Sequence, residues 1–105
     1  MSKPRYGWWG YAISMIRRYP ERVKHPAPDS TVEGRERAAV TRAIEQTMKL
    51  PDGDSRMIVI DLMYWCNTHK LYGASRVAHV SERTAQRWHA DFIRTVGRNF
   101  GLLDT

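Results

Sequence analysis

The tail of this chain leaves the fold little freedom. Between Gly73 and Phe100 it reads GASRVAHVSERTAQRWHADFIRTVGRNF, and Ala85, Trp88, Phe92 and Val96 recur there at spacings of 3, 4 and 4. Apolar residues so spaced line one face of an α-helix, whereas a strand would alternate them with polar neighbours. Arg83, Arg87, Arg94 and Arg98 recur at spacings of 4, 7 and 4. At roughly 100° per residue, the arginines fall opposite the apolar stripe. The helix has a core side and an arginine side. Ser81 is suited to start it, because an N-cap hydroxyl accepts a bond from a backbone N–H that lacks an intrahelical partner.

A short helix ahead of the turn at Val80–Ser81 completes the pattern of a helix-turn-helix. Two helices meet at a tight angle only where the side chains between them are small, and Ala74, Ser75, Ala78 and Val80 suit that need. His79 stands at a turn position that such motifs often give to glycine, and histidine tolerates positive φ better than most residues. In a DNA-reading helix-turn-helix the second helix lies in the major groove, its N-terminal residues at the base edges. Glu82, Arg83, Gln86 and Arg87 are then the candidate readers, with Arg76, Ser81 and Thr84 on phosphates. Arginine bonds guanine O6 and N7 in bidentate fashion, and glutamine does the same for adenine N6 and N7. Glu82 either accepts from a cytosine amine or only stabilises the helix start through the dipole. Arg94 and Arg98 lie roughly 16 and 22 Å along the helix from Arg83. They are too far away to read the same base pairs, which leaves them DNA backbone, a partner surface or solvent. The alternative for the whole element is an amphipathic helix with a solvated basic face.

Composition agrees with a polyanionic partner. The 105 residues carry 17 Lys+Arg against 11 Asp+Glu, a formal net charge of +6. Residues 1–25 hold six basic and one acidic side chain, residues 26–70 six and seven, and residues 71–105 five and three. Both ends are basic and the middle is nearly neutral, which suits a nucleic-acid binder, although basic tails also serve solubility alone. The length suits one domain, 1–105, in which 1–70 form a helical scaffold and 71–100 the helix-turn-helix. The single cysteine, Cys66, excludes an internal disulfide framework and suits a reducing compartment. The apolar run Met57 to Cys66 is broken by Asp61 and is far shorter than the ~20 residues that span a bilayer. MSKPRYGWW lacks the apolar region of a signal peptide. These features predict a cytoplasmic protein without a membrane partner.

Upstream, residues 5–19 form an amphipathic helix with Trp8, Trp9, Ala12, Met15, Ile16 and Tyr19 on one face. Pro20 is expected to stop it. The aromatic cluster there is better suited to core packing than to stacking on bases. Residues 20–30 hold three prolines and read as a loop. Ser30 and Glu33 fit a capping box, and the helix they open runs to about Lys49 with Val40, Ala43, Ile44, Thr47 and Met48 inward. Pro51-Asp52-Gly53 reads as a turn. Residues 55–69 contain Ile58, Val59 and Ile60, which would suit a strand, but no other segment offers it a partner. A largely buried helix is expected there instead. The sum is an all-α bundle of about five helices.

The residues for other chemistry do not assemble. His69, His79 and His89 are ten apart, a spacing that repeats on no helical face, and Cys66 with His69 makes only half a zinc site. No phosphate-binding loop, nucleophile elbow or zinc-protease motif occurs. Asp52 and Asp54 read as turn and cap residues, and Asp61 as half of a structural salt bridge. Neither a metal, a cofactor nor an enzymatic activity is expected.

The strings WWGYAISMIRRYP, VIDLMYW and SERTAQRWHADFI resemble phage late-gene transcription regulators of the RinA/ArpU type. VSERTAQRWH is also similar in layout to the helix-turn-helix of sigma-factor region 4. The resemblance implies an all-helical activator of packaging or morphogenesis genes that acts with host RNA polymerase, without catalysis or cofactor. It assigns DNA reading to Ser81, Glu82, Arg83, Thr84, Gln86 and Arg87. A small-terminase-like packaging adaptor and a protein-interaction module that docks on polymerase are the alternatives. A homodimer through Leu102, Leu103 and the aromatic N-terminal helix would suit the half-site spacing of many such proteins.

Overall fold

The computed structural model describes residues 7–102. Its regular structure is helical: α1 Gly7–Lys24, α2 Val32–Met48, α3 Gly53–Ile60, α4 Leu71–Val77 and α5 Glu82–Phe100. A π-helical turn, Asp61–Trp65, continues α3. None of these helices is long and apolar enough to cross a membrane. Residues 5 and 6 and Leu103, which figured in the expectations above, lie outside the described residues.

On α1, Ala12, Met15 and Ile16 are buried, and Trp8, Trp9, Tyr11 and Tyr19 pack partly against the core. Pro20 does not stop this helix, contrary to expectation; α1 continues past it to Lys24. A proline inside a helix withholds the N–H that would reach the carbonyl four residues back, here that of Ile16. The indole Nε1–H of Trp65 donates to that oxygen at 2.8 Å. A tertiary bond has replaced the lost helical one.

The cap of α2 is Thr31, not Ser30. Thr31 Oγ1 accepts from Gly34 N at 3.0 Å and donates to Pro28 O at 2.6 Å. The third helical residue is therefore Gly34, so Glu33 closes no capping box. Ala39, Val40, Ala43 and Thr47 are buried as one stripe, whereas Met48, expected inside, is 47 % exposed. Glu36 is buried at 4 % exposure in the same helix. Its carboxylate takes the Tyr11 hydroxyl at 2.5 Å, Arg18 at 3.3 Å and Arg22 at 3.4 Å, tying α2 to α1. Desolvation, and then the bond to Glu36, push the Tyr11 hydroxyl's pKa up.

Residues 55–69 fold as helix only in part. Val59 and Ile60 are buried, while Ile58 faces outward at 41 % exposure and Cys66 is exposed. Asp61 forms no salt bridge among the described residues; its Oδ1 accepts from the Cys66 thiol at 3.5 Å. That bond, more than any burial, holds the thiol's pKa up. Asp52 occupies the N-cap position of α3 at φ 60° but makes no side-chain capping bond. The widened turn brings Tyr64 against His89 of α5, rings stacked at 5.5 Å, with the phenol oxygen and Nε2 sharing a hydrogen bond.

Helix α5 enters two cores. Phe92, Ile93 and Val96 join Ala12, Met15, Ile16, Val40, Ala43 and Ile60. Ala85 and Trp88 join Val59, Ala74 and Ala78. Gly97 lets Trp8 lie close to the helix, since a Cβ there would meet the indole at 3.0 Å. Leu102, half-buried, packs on the larger core.

Candidate nucleic-acid interface

α4 is short and rests on α5 through small groups. Ala74 and Ser75 are buried, and the Ser75 hydroxyl satisfies itself by donating to Tyr72 O at 2.6 Å. At the end of α4, His79 N bonds to Arg76 O and Val80 N to Ser75 O, at 3.2 and 3.0 Å. This pairing is a Schellman motif, which needs a left-handed residue just past the helix. His79 supplies it at φ 60°. Ser81 follows in extended conformation and caps α5, its Oγ accepting from Thr84 N at 3.1 Å. The expected helix, turn and helix are therefore all present, at the expected residues.

The apolar stripe faces in and the arginine stripe faces out. Ala85, Trp88, Phe92 and Val96 are buried; Arg83, Arg87, Arg94 and Arg98 are exposed. The arginines differ in what holds them. Among the described residues no carboxylate pairs with Arg83, Arg87 or Arg98, whereas Arg94 reaches Asp91 at 3.6 Å and lies over the Trp9 ring. Arg56 also reaches Asp91, at 3.7 Å, and covers Trp88. Arg83 and Arg87, one turn apart near the helix start, are the two guanidinium groups free to meet a ligand there.

The other expected contacts divide. Glu82 is exposed in the first turn of α5. Ser81 donates its own hydroxyl proton to Thr84 Oγ1 at 3.0 Å, so its role is the cap. Thr84 keeps its O–H as a donor. Gln86 is half-buried and already engaged within the molecule. Arg76 is exposed on α4 and donates to the Tyr72 hydroxyl at 3.3 Å, its guanidinium 5.9 Å from the ring centroid. Tyr72 was not anticipated. It is 59 % exposed beside the turn, and its spacing of four from Arg76 was the available signal. Arg94 stands ~16 Å along the helix from Arg83 and is not brought together with the others.

The Glu82 and Arg83 amides have no intrahelical acceptor, a property of the first turn that favours anions. Free guanidiniums, open amides and the Thr84 hydroxyl thus share one end of α5. No family model, curated protein or solved structure matches the chain.

Proposed function

We propose that the protein is a sequence-specific double-stranded DNA-binding regulator of transcription, with α5 as its reading helix. The observation that carries this is the pair Arg83 and Arg87, exposed and, among the described residues, without carboxylate partners on the first two turns of a capped helix that a seven-residue helix braces. Arg83 and Arg87 read base edges; Arg76, Thr84 and the first-turn amides hold phosphates. Tyr72 adds a hydroxyl to the phosphate side. The resemblance to phage late-gene regulators extends the reading to an activator that works with host RNA polymerase, and gives the protein no catalytic step.

The test is selection of bound sequences from a random duplex pool, followed by titration of the winner. Arg87→Ala should then lose about 1–3 kcal/mol on the selected site and relax preference at one base pair. A uniform loss on every sequence would make Arg87 a phosphate contact. Affinity should fall steeply with salt as counterions are released, and a flat salt titration would remove DNA from the account. A stable ring-sized oligomer would favour the packaging adaptor over the activator.

A further inference from the structure

On the α2–α3 face of the molecule lies a groove of about 590 Å³ that DNA binding does not use. Ile44 and Met48 of α2, Met57 and Ile58 of α3, and Trp65 of the π-helical turn line it, with Asp54 and Asp61 as its charged groups. Met48 and Ile58 are 47 % and 41 % exposed, and Leu50 in the connection between the helices is 46 % exposed. Single exposed apolar residues are ordinary, but a contiguous apolar trough marks a contact surface. Two methionines in its wall suit an occupant whose side chains must be accommodated, because thioether chains repack at low cost.

The acids decide what that occupant is. The chain carries a net +6, yet no cation pairs with Asp54 or Asp61 among the described residues. An anionic membrane surface or a nucleic acid would be repelled by this rim. A twofold pairing with a second copy would bring the Asp54 and Asp61 carboxylates of both copies into one interface, since an isologous contact uses the same patch twice. A helix with an apolar stripe flanked by lysine or arginine meets both the trough and the rim.

We propose that the α2–α3 groove is a docking site for an amphipathic helix of a partner protein, its apolar stripe bordered by basic residues. The apolar stripe fills the trough over Met57 and Trp65, and the basic flanks pair with Asp54 and Asp61. DNA binding at the start of α5 leaves this face open, so the two occupants are compatible.

The experiment is selection, on the immobilised full-length chain, from a displayed library of 18-residue helices. Each carries a fixed apolar stripe of leucines, with the flanking positions randomised among Lys, Arg, Glu and Ser. Recovered helices should carry Lys or Arg at the flanks. Asp54→Lys, at an exposed position, should weaken a recovered Lys-flanked peptide by at least about tenfold, as an attractive pair becomes a like-charge contact. Ile58→Lys, also exposed, should abolish binding while far-UV circular dichroism is unchanged. Acidic or unbiased flanks, binding indifferent to Ile58→Lys, or no recovered helix would overturn the proposal. So would a dimer in sedimentation that Ile58→Lys dissolves, because the face would then be covered by a second copy. None of these outcomes depends on whether α5 binds DNA.

Discussion

Glu36 and His89 are the two side chains whose chemistry most exceeds their surroundings. The Glu36 carboxylate is buried with one phenol and two guanidiniums on it. Removing one partner of a buried set strands the others, but Arg18 and Arg22 keep 44 % and 27 % of their side-chain surface and can rehydrate. Glu36→Ala should therefore cost about 2 kcal/mol, below the 3–5 of a fully enclosed pair, read from the denaturant midpoint. Glu36→Gln should cost less, since the amide oxygen still accepts from Tyr11. His89 is pushed down to about 4 by burial. The ring stacks on Tyr64, whose own pKa burial raises to about 12, and away from water it is the charged imidazolium that is disfavoured. The folded state thus resists the proton that the unfolded chain accepts near pH 6.5. Stability should be whole above that value and fall by on the order of 3 kcal/mol as pH drops to about 4. His89→Gln should flatten that stretch of the pH–stability curve, and an unchanged slope would assign it to other groups.

Among the elements, α1 is where local rules and tertiary structure disagree. A proline near the C-terminal end of an amphipathic stretch ordinarily ends it, and nothing in residues 5–20 announces that Trp65 will bond to the stranded carbonyl of Ile16. That information lies 45 residues beyond Pro20 in the chain, where periodicity does not reach. By contrast α5, its Ser81 cap, the positive φ of His79 and the outward arginines were legible, because each follows from neighbours within a few residues. The Thr31 cap was missed by one residue, since Ser30 and Thr31 are equally competent hydroxyls and the choice between them falls to the Pro28 carbonyl. Burial of Glu36 was illegible for the reason Trp65 was: its partners are on another helix. The α1 contact makes a sharp prediction. Trp65→Phe leaves Ile16 O unsatisfied and should cost about 1–3 kcal/mol. Pro20→Ala restores a backbone N–H to the same oxygen, so Trp65→Phe should cost less in that background. A double-mutant cycle in denaturant measures the coupling; additive effects would mean the indole bond contributes little.

For the whole molecule, the consequential feature is that α5 belongs to both cores. The sequence divides naturally at about residue 70, a scaffold before it and a helix-turn-helix after. The packing ignores that boundary. The first turns of α5 present arginines and bury Ala85 and Trp88 with α4, while the later turns bury Phe92, Ile93 and Val96 among α1, α2 and α3. A straight helix cannot release one half of its stripe without disturbing the aim of the other. The arginine-bearing end should therefore share the stability of the larger core, although it lies outside it. Phe92→Ala, which opens a cavity in that core, should cost about 3–5 kcal/mol, a large share of the roughly 5–15 available to a domain. Native-state hydrogen exchange measures how far the loss travels. Amides of α5 around Trp88 should lose protection by the same free energy as those around Met15 and Ile16 on α1. Loss confined to residues near position 92 would instead make residues 71–91 a separately stable unit.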